Sequence, residues 1–140
     1  MSHPSDRGFV DRLADYDSLL EIGVGRRPSL AAELASSGRR VVAMDVDPGV
    51  VADVRERAPR EVAVCRDDVV AAARRETLAP RYRVEAVYAR NLPAELQRPT
   101  WDLARRVDAD CLFTTLGFEE PVIPVERSRL GDDVLYVVRQ

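Results

Sequence analysis

Two short apolar runs that each contain an acid, with a pair of glycines at the end of the first, constrain this chain more than any other feature. The first run is Leu19-Leu20-Glu21-Ile22-Gly23-Val24-Gly25, and the second is Val41-Val42-Ala43-Met44-Asp45-Val46-Asp47. Asp45 follows Gly25 by 20 residues (45 − 25), the separation at which a βαβ unit brings an acid to the ribose of a nucleotide. The pair predicts a parallel βαβ unit with a nucleotide-like cofactor at its glycine turn.

Alternating apolar and amphipathic segments extend this pattern along the chain. We expect a leading helix over 8–15, strands at 18–22, 40–44, 61–65, 84–89 and 109–115, and helices that begin near Pro28, Asp47, Asp67 or Asp68, and Pro93. Pro99 is expected to bend or divide the last helix. Strands at 122–125 and 134–138 then follow, joined by Gly131-Asp132-Asp133. The sequence predicts one α/β Rossmann-like domain over 1–140, a mostly parallel sheet with a C-terminal antiparallel hairpin, and a disordered tail over 1–7.

The residues around the two glycines favour S-adenosylmethionine over a dinucleotide. A dinucleotide fingerprint has a third glycine where this chain has Pro28, and an acid such as Glu21 gains nothing beside a pyrophosphate. A sulfonium and an ammonium would be stabilised by that carboxylate, and the cofactor's own carboxylate could use the helix N-terminus. Asp45 would accept hydrogen bonds from both ribose hydroxyls. The expected cofactor site is therefore Glu21, Gly23, Gly25 and Asp45, with NAD as the alternative ligand.

The composition argues against several other classes of protein. The formal charge of -3 gives no basic field for nucleic acid, and we find no signal peptide or membrane span, so we expect a cytoplasmic protein. Cys65 and Cys111 lie in apolar runs, as expected of buried reduced thiols, and the single histidine, His3, lies in the polar N-terminus. These residues assemble neither a zinc site nor a nucleophile with its base. We therefore expect no metal, and no catalytic residue can be named.

Two segments resemble motifs of class I S-adenosylmethionine-dependent methyltransferases. Residues 21–25 resemble their motif I, and Met44-Asp45-Val46-Asp47-Pro48 resembles motif II. The run Val87-Tyr88-Ala89-Arg90-Asn91-Leu92-Pro93-Ala94-Glu95-Leu96 is similar to a small archaeal family of uncharacterised Rossmann-like proteins, a similarity that spans about residues 8 to 140. The resemblance implies a methyltransferase-type sheet and a cofactor pocket, but no established reaction.

The resemblance also implies roles for residues beyond the glycine turn. Asp67, just past the third strand, matches the position that contacts the adenine edge, although Asp67 and Asp68 could equally be helix-capping acids. Arg26 and Arg27 stand where small residues are usual, and they either line the pocket or face solvent. Asn91 lies where amino-methylating enzymes carry Asn or Asp with two prolines and an aromatic. The second proline and the aromatic are missing here, which disfavours base methylation and favours a loop that opens a helix.

We therefore expect an S-adenosylmethionine-binding protein that could be a small methyltransferase of unknown substrate. Methyl transfer requires no general base, because the sulfonium is already activated and positioning supplies much of the rate. Two alternatives remain open: a non-catalytic nucleotide-binding or regulatory module, and a dinucleotide-binding protein in which Arg26 and Arg27 meet the pyrophosphate. Almost every residue belongs to the predicted sheet and its helices, so we expect a homodimer or another partner to complete the substrate site.

Overall fold

A computed structural model describes the backbone of residues 4–140 and the side chains of residues 6–140. Seven strands form one mixed sheet, and helices pack on both of its faces. A short 3-10 helix, Pro80–Tyr82, precedes β4. The main elements in chain order are α1 (Pro4–Leu13), β1 (Ser18–Ile22), α2 (Ser29–Ser36), β2 (Arg40–Asp45), α3 (Pro48–Arg57), β3 (Val62–Arg66), α4 (Val69–Arg74), β4 (Ala86–Leu92), α5 (Ala94–Arg106), β5 (Asp110–Thr115), β6 (Glu126–Leu130) and β7 (Asp133–Val138).

The strand order is β3-β2-β1-β4-β5-β7-β6. The first five strands are parallel to their neighbours, whereas β7 is inserted between β5 and β6 and runs antiparallel to both. This arrangement confirms the prediction of a mostly parallel Rossmann-like sheet with antiparallel strands at its C-terminal end. The order reverses between the adjacent strands β1 and β4, and ligands of open α/β sheets bind beyond the carboxyl ends of the strands at such a point.

Successive residues of the inner strands point to opposite faces of the sheet, and each face has its own apolar core. Leu20 and Val42 pack in one core with Leu103 of α5. Leu19 and Val41 pack in the other, against residues of α1, α2 and α3. Because both faces are covered, the inner strands are almost continuously apolar. That is why the sequence located them to within a few residues, the largest difference being at β4, expected over 84–89 and observed over Ala86–Leu92.

The apolar pattern misplaces the sixth strand. We expected a strand at 122–125, but β6 is Glu126–Leu130, most of whose side chains are exposed. Pro124 has no backbone N–H to donate to a ladder, and Ile123 is buried in a core cluster from an irregular segment. At the edge of a sheet, charged side chains are favoured because they face solvent. The prediction for 122–125 was therefore wrong: the real strand lacks the apolar signal.

The N-terminal helix begins earlier than the sequence suggested. Residues 4–7, expected to belong to a disordered tail, form the start of α1. Asp6 is buried there, and its Oδ1 lies 3.3 Å from Nη1 of Arg90, a distant contact that no local pattern reveals. Residues 1–3, including His3, lie outside the described residues. At the other predicted irregularity, Pro99, α5 continues without division from Ala94 to Arg106.

Candidate functional site

A tight turn connects β1 to α2 at the carboxyl edge of the sheet. Gly23 and Gly25 both adopt left-handed backbone angles, with φ of 67° and 60°, which L side chains adopt only with strain. In the described part of the chain, a Cβ atom added to either glycine would meet no atom within 4 Å. The glycines are therefore required by the backbone conformation, and their open side leaves that backbone accessible to a ligand.

Asp45 links this turn to the end of β2. The amide of Gly25 donates a hydrogen bond of 2.9 Å to Oδ2 of Asp45, and the amide of Asp47 donates one of 3.1 Å to Oδ1. The Val24 amide also donates a hydrogen bond of 3.0 Å to the Met44 carbonyl, which connects the turn to β2. Each carboxylate oxygen can accept two hydrogen bonds. The carboxylate thus has acceptor capacity left on both oxygens, enough for a vicinal diol.

Asp67 is held by several donors of its own chain. Nη1 and Nη2 of Arg75 lie 2.7 Å and 2.5 Å from its two carboxylate oxygens, and the Tyr82 hydroxyl donates to Oδ2. The hydrogen bonds from Arg75 lower the pKa of Asp67 to about 2, and those from Tyr82 and the Asp68 amide act in the same direction. Asp68 itself caps α4 by accepting from the Val70 amide at 2.9 Å. Asp67 is therefore a fixed, ionised carboxylate whose acceptor sites are largely engaged.

A cavity of about 430 Å³ lies beside these acids and is lined by Val46, Arg66, Asp67 and Asp68. Val46 is 57% exposed, and its carbonyl accepts a hydrogen bond of 3.2 Å from Nε of Arg66. An exposed apolar side chain next to carboxylates suits a flat heterocycle that carries an amino group. Sequence reasoning assigned no role to Val46. The signal in the sequence was that Val46, an apolar residue, follows Asp45 and so lies beyond the end of the buried strand β2.

Glu21 lies on β1, two residues before the glycine turn. It is fully buried, with the Tyr88 hydroxyl donating to Oε1 at 2.8 Å and Nη2 of Arg90 donating to Oε2 at 3.0 Å. Burial raises the pKa of Glu21, while the charge of Arg90 opposes that change. Arg90 also pairs with Asp6, so the three side chains carry a formal charge of −1 when ionised (−2 + 1). Arg90 therefore offsets part of the negative charge that the sequence suggested for this position.

Arg90 joins several parts of the site, and sequence reasoning did not single it out. Besides its ion pairs with Glu21 and Asp6, its Nη2 donates a hydrogen bond of 2.6 Å to the carbonyl of Arg27. One side chain of β4 thereby contacts β1, α1 and the segment that follows the glycine turn. A charged residue inside the buried part of β4, which reads Ala86-Val87-Tyr88-Ala89-Arg90, was the signal that could have revealed it.

Two further cavities open beyond the carboxyl ends of β4 and β5. They measure about 190 Å³ and 280 Å³, and both are lined by Asn91, Thr114 and Asp133. Asn91 has a left-handed φ of 53°, and its amide donates to Oγ1 of Thr114 at 2.9 Å. It lies on the irregular end of β4, where the register with β5 shifts. The structure thus places Asn91 where the two cavities meet, within β4 rather than in the expected loop.

The two arginines that follow the glycine turn have different surroundings. Nη1 of Arg26 lies 3.7 Å from Oδ2 of Asp53 on α3, and the Arg26 side chain is 58% exposed. Arg27 lines the 190 Å³ cavity, and among the described residues its guanidinium forms no ion pair. Arg27 is therefore better placed than Arg26 to meet an anionic group at this edge.

Among the described residues, the two cysteines do not form a reactive centre. Cys111 is buried in the sheet, and burial raises the pKa of its thiol to about 12. Sγ of Cys65 lies 3.5 Å from the Tyr82 hydroxyl. Across the described residues, no three His, Cys, Asp or Glu side chains are grouped to hold a metal ion. In the same part of the chain, every helix is too short or too polar to cross a membrane.

Solved structures similar in fold to this chain include methyltransferases. An RNA methyltransferase of Salinibacter ruber, in complex with S-adenosyl-L-homocysteine, is similar with a TM-score of 0.69 and 18% identity, covering 98% of this chain and 90% of that one. A magnesium protoporphyrin IX methyltransferase of Synechocystis, with the same compound bound, has a TM-score of 0.68 and 13% identity over 97% and 82% of the two chains. At these identities the likeness defines the fold, which is the Rossmann-like fold of class I methyltransferases.

By sequence, the chain belongs to the uncharacterised protein family UPF0146, whose sequence profile matches residues 8–139. A UPF0146 protein of Halobacterium salinarum is 40% identical over 128 residues, 91% of each chain. One from Archaeoglobus fulgidus is 31% identical over 114 residues, 77% of this chain and 79% of that protein. The resemblance to a small archaeal family is therefore confirmed. The family has no assigned reaction, so a functional assignment depends on the site.

Proposed function

We propose that this protein binds S-adenosylmethionine, or its demethylated product, along the carboxyl edge of β1, β2 and β3. The observation that carries the proposal is the hydrogen bond of 2.9 Å between the Gly25 amide and Asp45. It fixes a carboxylate with spare acceptor capacity beside an accessible backbone turn. The methyltransferases of this fold that were crystallised with S-adenosyl-L-homocysteine support the choice of ligand.

Each part of the cofactor has a counterpart at this edge. The backbone at Gly23 and Gly25 would approach the methionine part, and Asp45 would accept from the two ribose hydroxyls. The adenine ring would occupy the cavity beside Val46, with its amino group directed towards Asp67 or the neighbouring Asp68. Because Arg75 and Tyr82 already bind Asp67, we propose that Asp67 mainly fixes the edge of this cavity.

The charge of the site favours a sulfonium cofactor. When all three groups are ionised, the buried group of Asp6, Glu21 and Arg90 carries a formal charge of −1, which attracts a sulfonium or ammonium and repels a pyrophosphate. Arg27, which lines the adjoining cavity, could hold the carboxylate of the methionine part. The NAD alternative receives no support from the methyltransferases that share the fold. We therefore retain S-adenosylmethionine alone.

Methyl transfer is the reaction that this cofactor would supply, and we propose that the protein is a small methyltransferase. The acceptor would enter from the side of β4 and β5, where Asn91 borders two cavities. Positioning the acceptor in line with the activated methyl group would provide much of the rate without a general base. A binding module that has no transferase activity is the second candidate, because the sheet and its helices take up most of the described residues and leave little chain to enclose an acceptor.

Calorimetric titration with S-adenosylmethionine, S-adenosylhomocysteine and NAD tests the proposal. We expect the two sulfur ligands to bind and NAD not to bind. Asp45→Ala should weaken both sulfur ligands by about 1.5–3 kcal/mol, because a charged hydrogen-bond acceptor is lost. The matched control is Glu56→Ala, which removes an exposed carboxylate from α3. Binding of NAD alone, or equal affinities in the two variants, would overturn the proposed site. Binding without methyl transfer to any acceptor supplied would favour the regulatory module.

A further inference from the structure

The exposed apolar side chains of this protein are concentrated in one region. In the described part of the chain, five large apolar side chains are exposed, and four of them lie between residues 116 and 134: Leu116, Phe118, Val122 and Val134, with Val46 as the fifth. Phe118 is as exposed as a residue can be, at 104%. Phe118 and Val134 line the 280 Å³ cavity beyond β5. Apolar side chains grouped around a cavity are typical of a binding surface.

The same cavity contains uncompensated negative charge. Asp132 and Asp133 line it, and neither carboxylate forms an ion pair or side-chain hydrogen bond within the described residues. The other two acids there are engaged, because Glu119 accepts from the first amide of α5 at 2.7 Å and Glu120 lies 3.9 Å from Arg127. The cavity therefore combines an exposed aromatic ring with two carboxylates that have no cation of their own.

This surface adjoins the proposed cofactor site. Asn91, Thr114 and Asp133 line both this cavity and the 190 Å³ cavity beside it. The smaller cavity is also lined by Arg90, which donates to the carbonyl of Arg27 just after the glycine turn. A molecule in the larger cavity would thus lie next to the edge at which we place the cofactor, on the side of β4 and β5.

We propose that this surface is an acceptor trough, defined by Asn91, Thr114, Phe118, Asp132, Asp133 and Val134, and that the methyl acceptor is a protonated amine joined to an apolar group. This inference rests on the proposed function and names its substrate class. The ammonium would pair with Asp132 and Asp133 and lie against the face of Phe118, where the ring attracts cations. The apolar group would pack on Val134. An acceptor rich in phosphate or carboxylate would meet like charge.

The chemistry balances with S-adenosylmethionine as the only co-reactant. The bound ammonium first loses a proton to solvent, which exposes the nitrogen lone pair. That nitrogen attacks the methyl carbon, so that an N–C bond forms while the C–S bond breaks and its electron pair returns to sulfur. The sulfonium becomes a neutral thioether, and the product is a methylated ammonium. The trough would contribute binding and orientation, and no residue of it is required to form a covalent bond.

Amide NMR of the full chain, with and without S-adenosylhomocysteine, tests the trough. The probes are 2-phenylethylamine, 2-phenylethanol and 3-phenylpropionate, which share an apolar ring and differ in charge. We expect the amine to shift the amides of Gly117, Phe118 and residues 131–134 and to bind about fivefold more tightly than the alcohol, as two exposed carboxylates allow. The propionate should leave these amides unchanged. Equal affinities for amine and alcohol would overturn the proposal.

Matched charge variants separate a local effect from a general one. The double variant Asp132→Asn with Asp133→Asn should lose about fivefold in amine affinity, and Phe118→Ala should weaken amine and alcohol together. The double variant Glu56→Gln with Glu61→Gln removes the same charge from an exposed region elsewhere and should change nothing. Equal losses in both double variants would contradict the trough. The amide shifts of Gly23 and Gly25 report binding of S-adenosylhomocysteine. If the amine binds the trough but these two amides do not shift with S-adenosylhomocysteine, the proposed function is contradicted while amine binding by the trough stands.

Discussion

The backbone amide of Gly25 and the carboxylate of Asp45, 20 positions apart in the chain, are joined by a hydrogen bond of 2.9 Å. The residue that would hold the ribose therefore also holds the turn on which the cofactor would lie. A substitution at Asp45 changes both the ligand's acceptor and the position of the glycine backbone. For that reason, the predictions below use other residues to separate the stability of the turn from its ligand binding.

Gly25→Ala should weaken S-adenosylhomocysteine binding by more than its effect on folding explains. Alanine at φ of 60° costs roughly 1–2 kcal/mol of unfolding free energy, and its methyl group would also project into the open side of the turn. Gly38→Ala is the matched control, because Gly38 has a φ of 87° and an equally open Cβ position away from the site. Urea unfolding and calorimetry measure the two effects. Equal losses of ligand affinity in the two variants would contradict the placement of the cofactor.

Arg90→Met should lower the free energy of unfolding by about 3–5 kcal/mol, because two buried carboxylates would lose their shared cation. Burial already raises the pKa of Glu21, and removal of Arg90 should raise it further. The variant should therefore recover stability as the pH falls and Glu21 becomes protonated. Urea titrations at several pH values measure this recovery. Adding Glu21→Gln should remove most of the pH dependence, and a variant whose stability does not change with pH would argue against the network.

Asp67→Asn should destabilise the protein at neutral pH by about 1 kcal/mol, a modest value because Arg75 is partly exposed and solvent screens the pair. The pKa of Asp67 is lowered from 3.8 to about 2 in the folded protein. Its stabilising effect is therefore complete above the unfolded value and is lost as the pH falls towards 2. The difference between wild type and variant should shrink over that range. Asp11→Asn, at an exposed position of α1, serves as the matched control.

Val46→Ala should weaken S-adenosylhomocysteine and free adenosine by about threefold to tenfold, because part of an apolar contact is removed. The side chain is 57% exposed, so the free energy of unfolding should change by less than about 0.5 kcal/mol. Val122 is equally exposed, at 57%, and lies outside the 430 Å³ cavity, so Val122→Ala serves as the control. An unaltered affinity for adenosine in Val46→Ala would move the ring away from this cavity.

Local sequence patterns were sufficient to predict the inner strands and the glycine turn, because the residues of each segment alone indicate its structure. The inner strands are apolar because both of their faces are covered, and the glycines at 23 and 25 are followed by an acid at the spacing of a βαβ unit. These features located the glycine turn and brought Asp45 to it. The bounds of β1 and the start of α3 at Pro48 follow from the same kind of signal, since Asp47 caps that helix.

Contacts between distant segments determined what the sequence could not show. Arg90 lies 69 residues from Glu21 and 84 from Asp6, so neither partner can be recognised from the local pattern. By sequence, Asp67 fits both an adenine contact and a helix cap. Only the structure shows that it accepts hydrogen bonds from Arg75 and Tyr82, which gives it a structural role. The acceptor trough depends on Phe118 and Asp133, which come together through the insertion of β7 beside β5.

The charged edge strand also limits how two copies of this protein can meet. A symmetric antiparallel pairing of β6 with itself, centred on Ser128, would place Arg127 opposite Arg129 in two like-charge pairs. The exposed backbone of β6 is therefore a poor template for a strand of a second molecule. The opposite edge strand is β3, and we expect any homodimer to avoid continuing the sheet through β6.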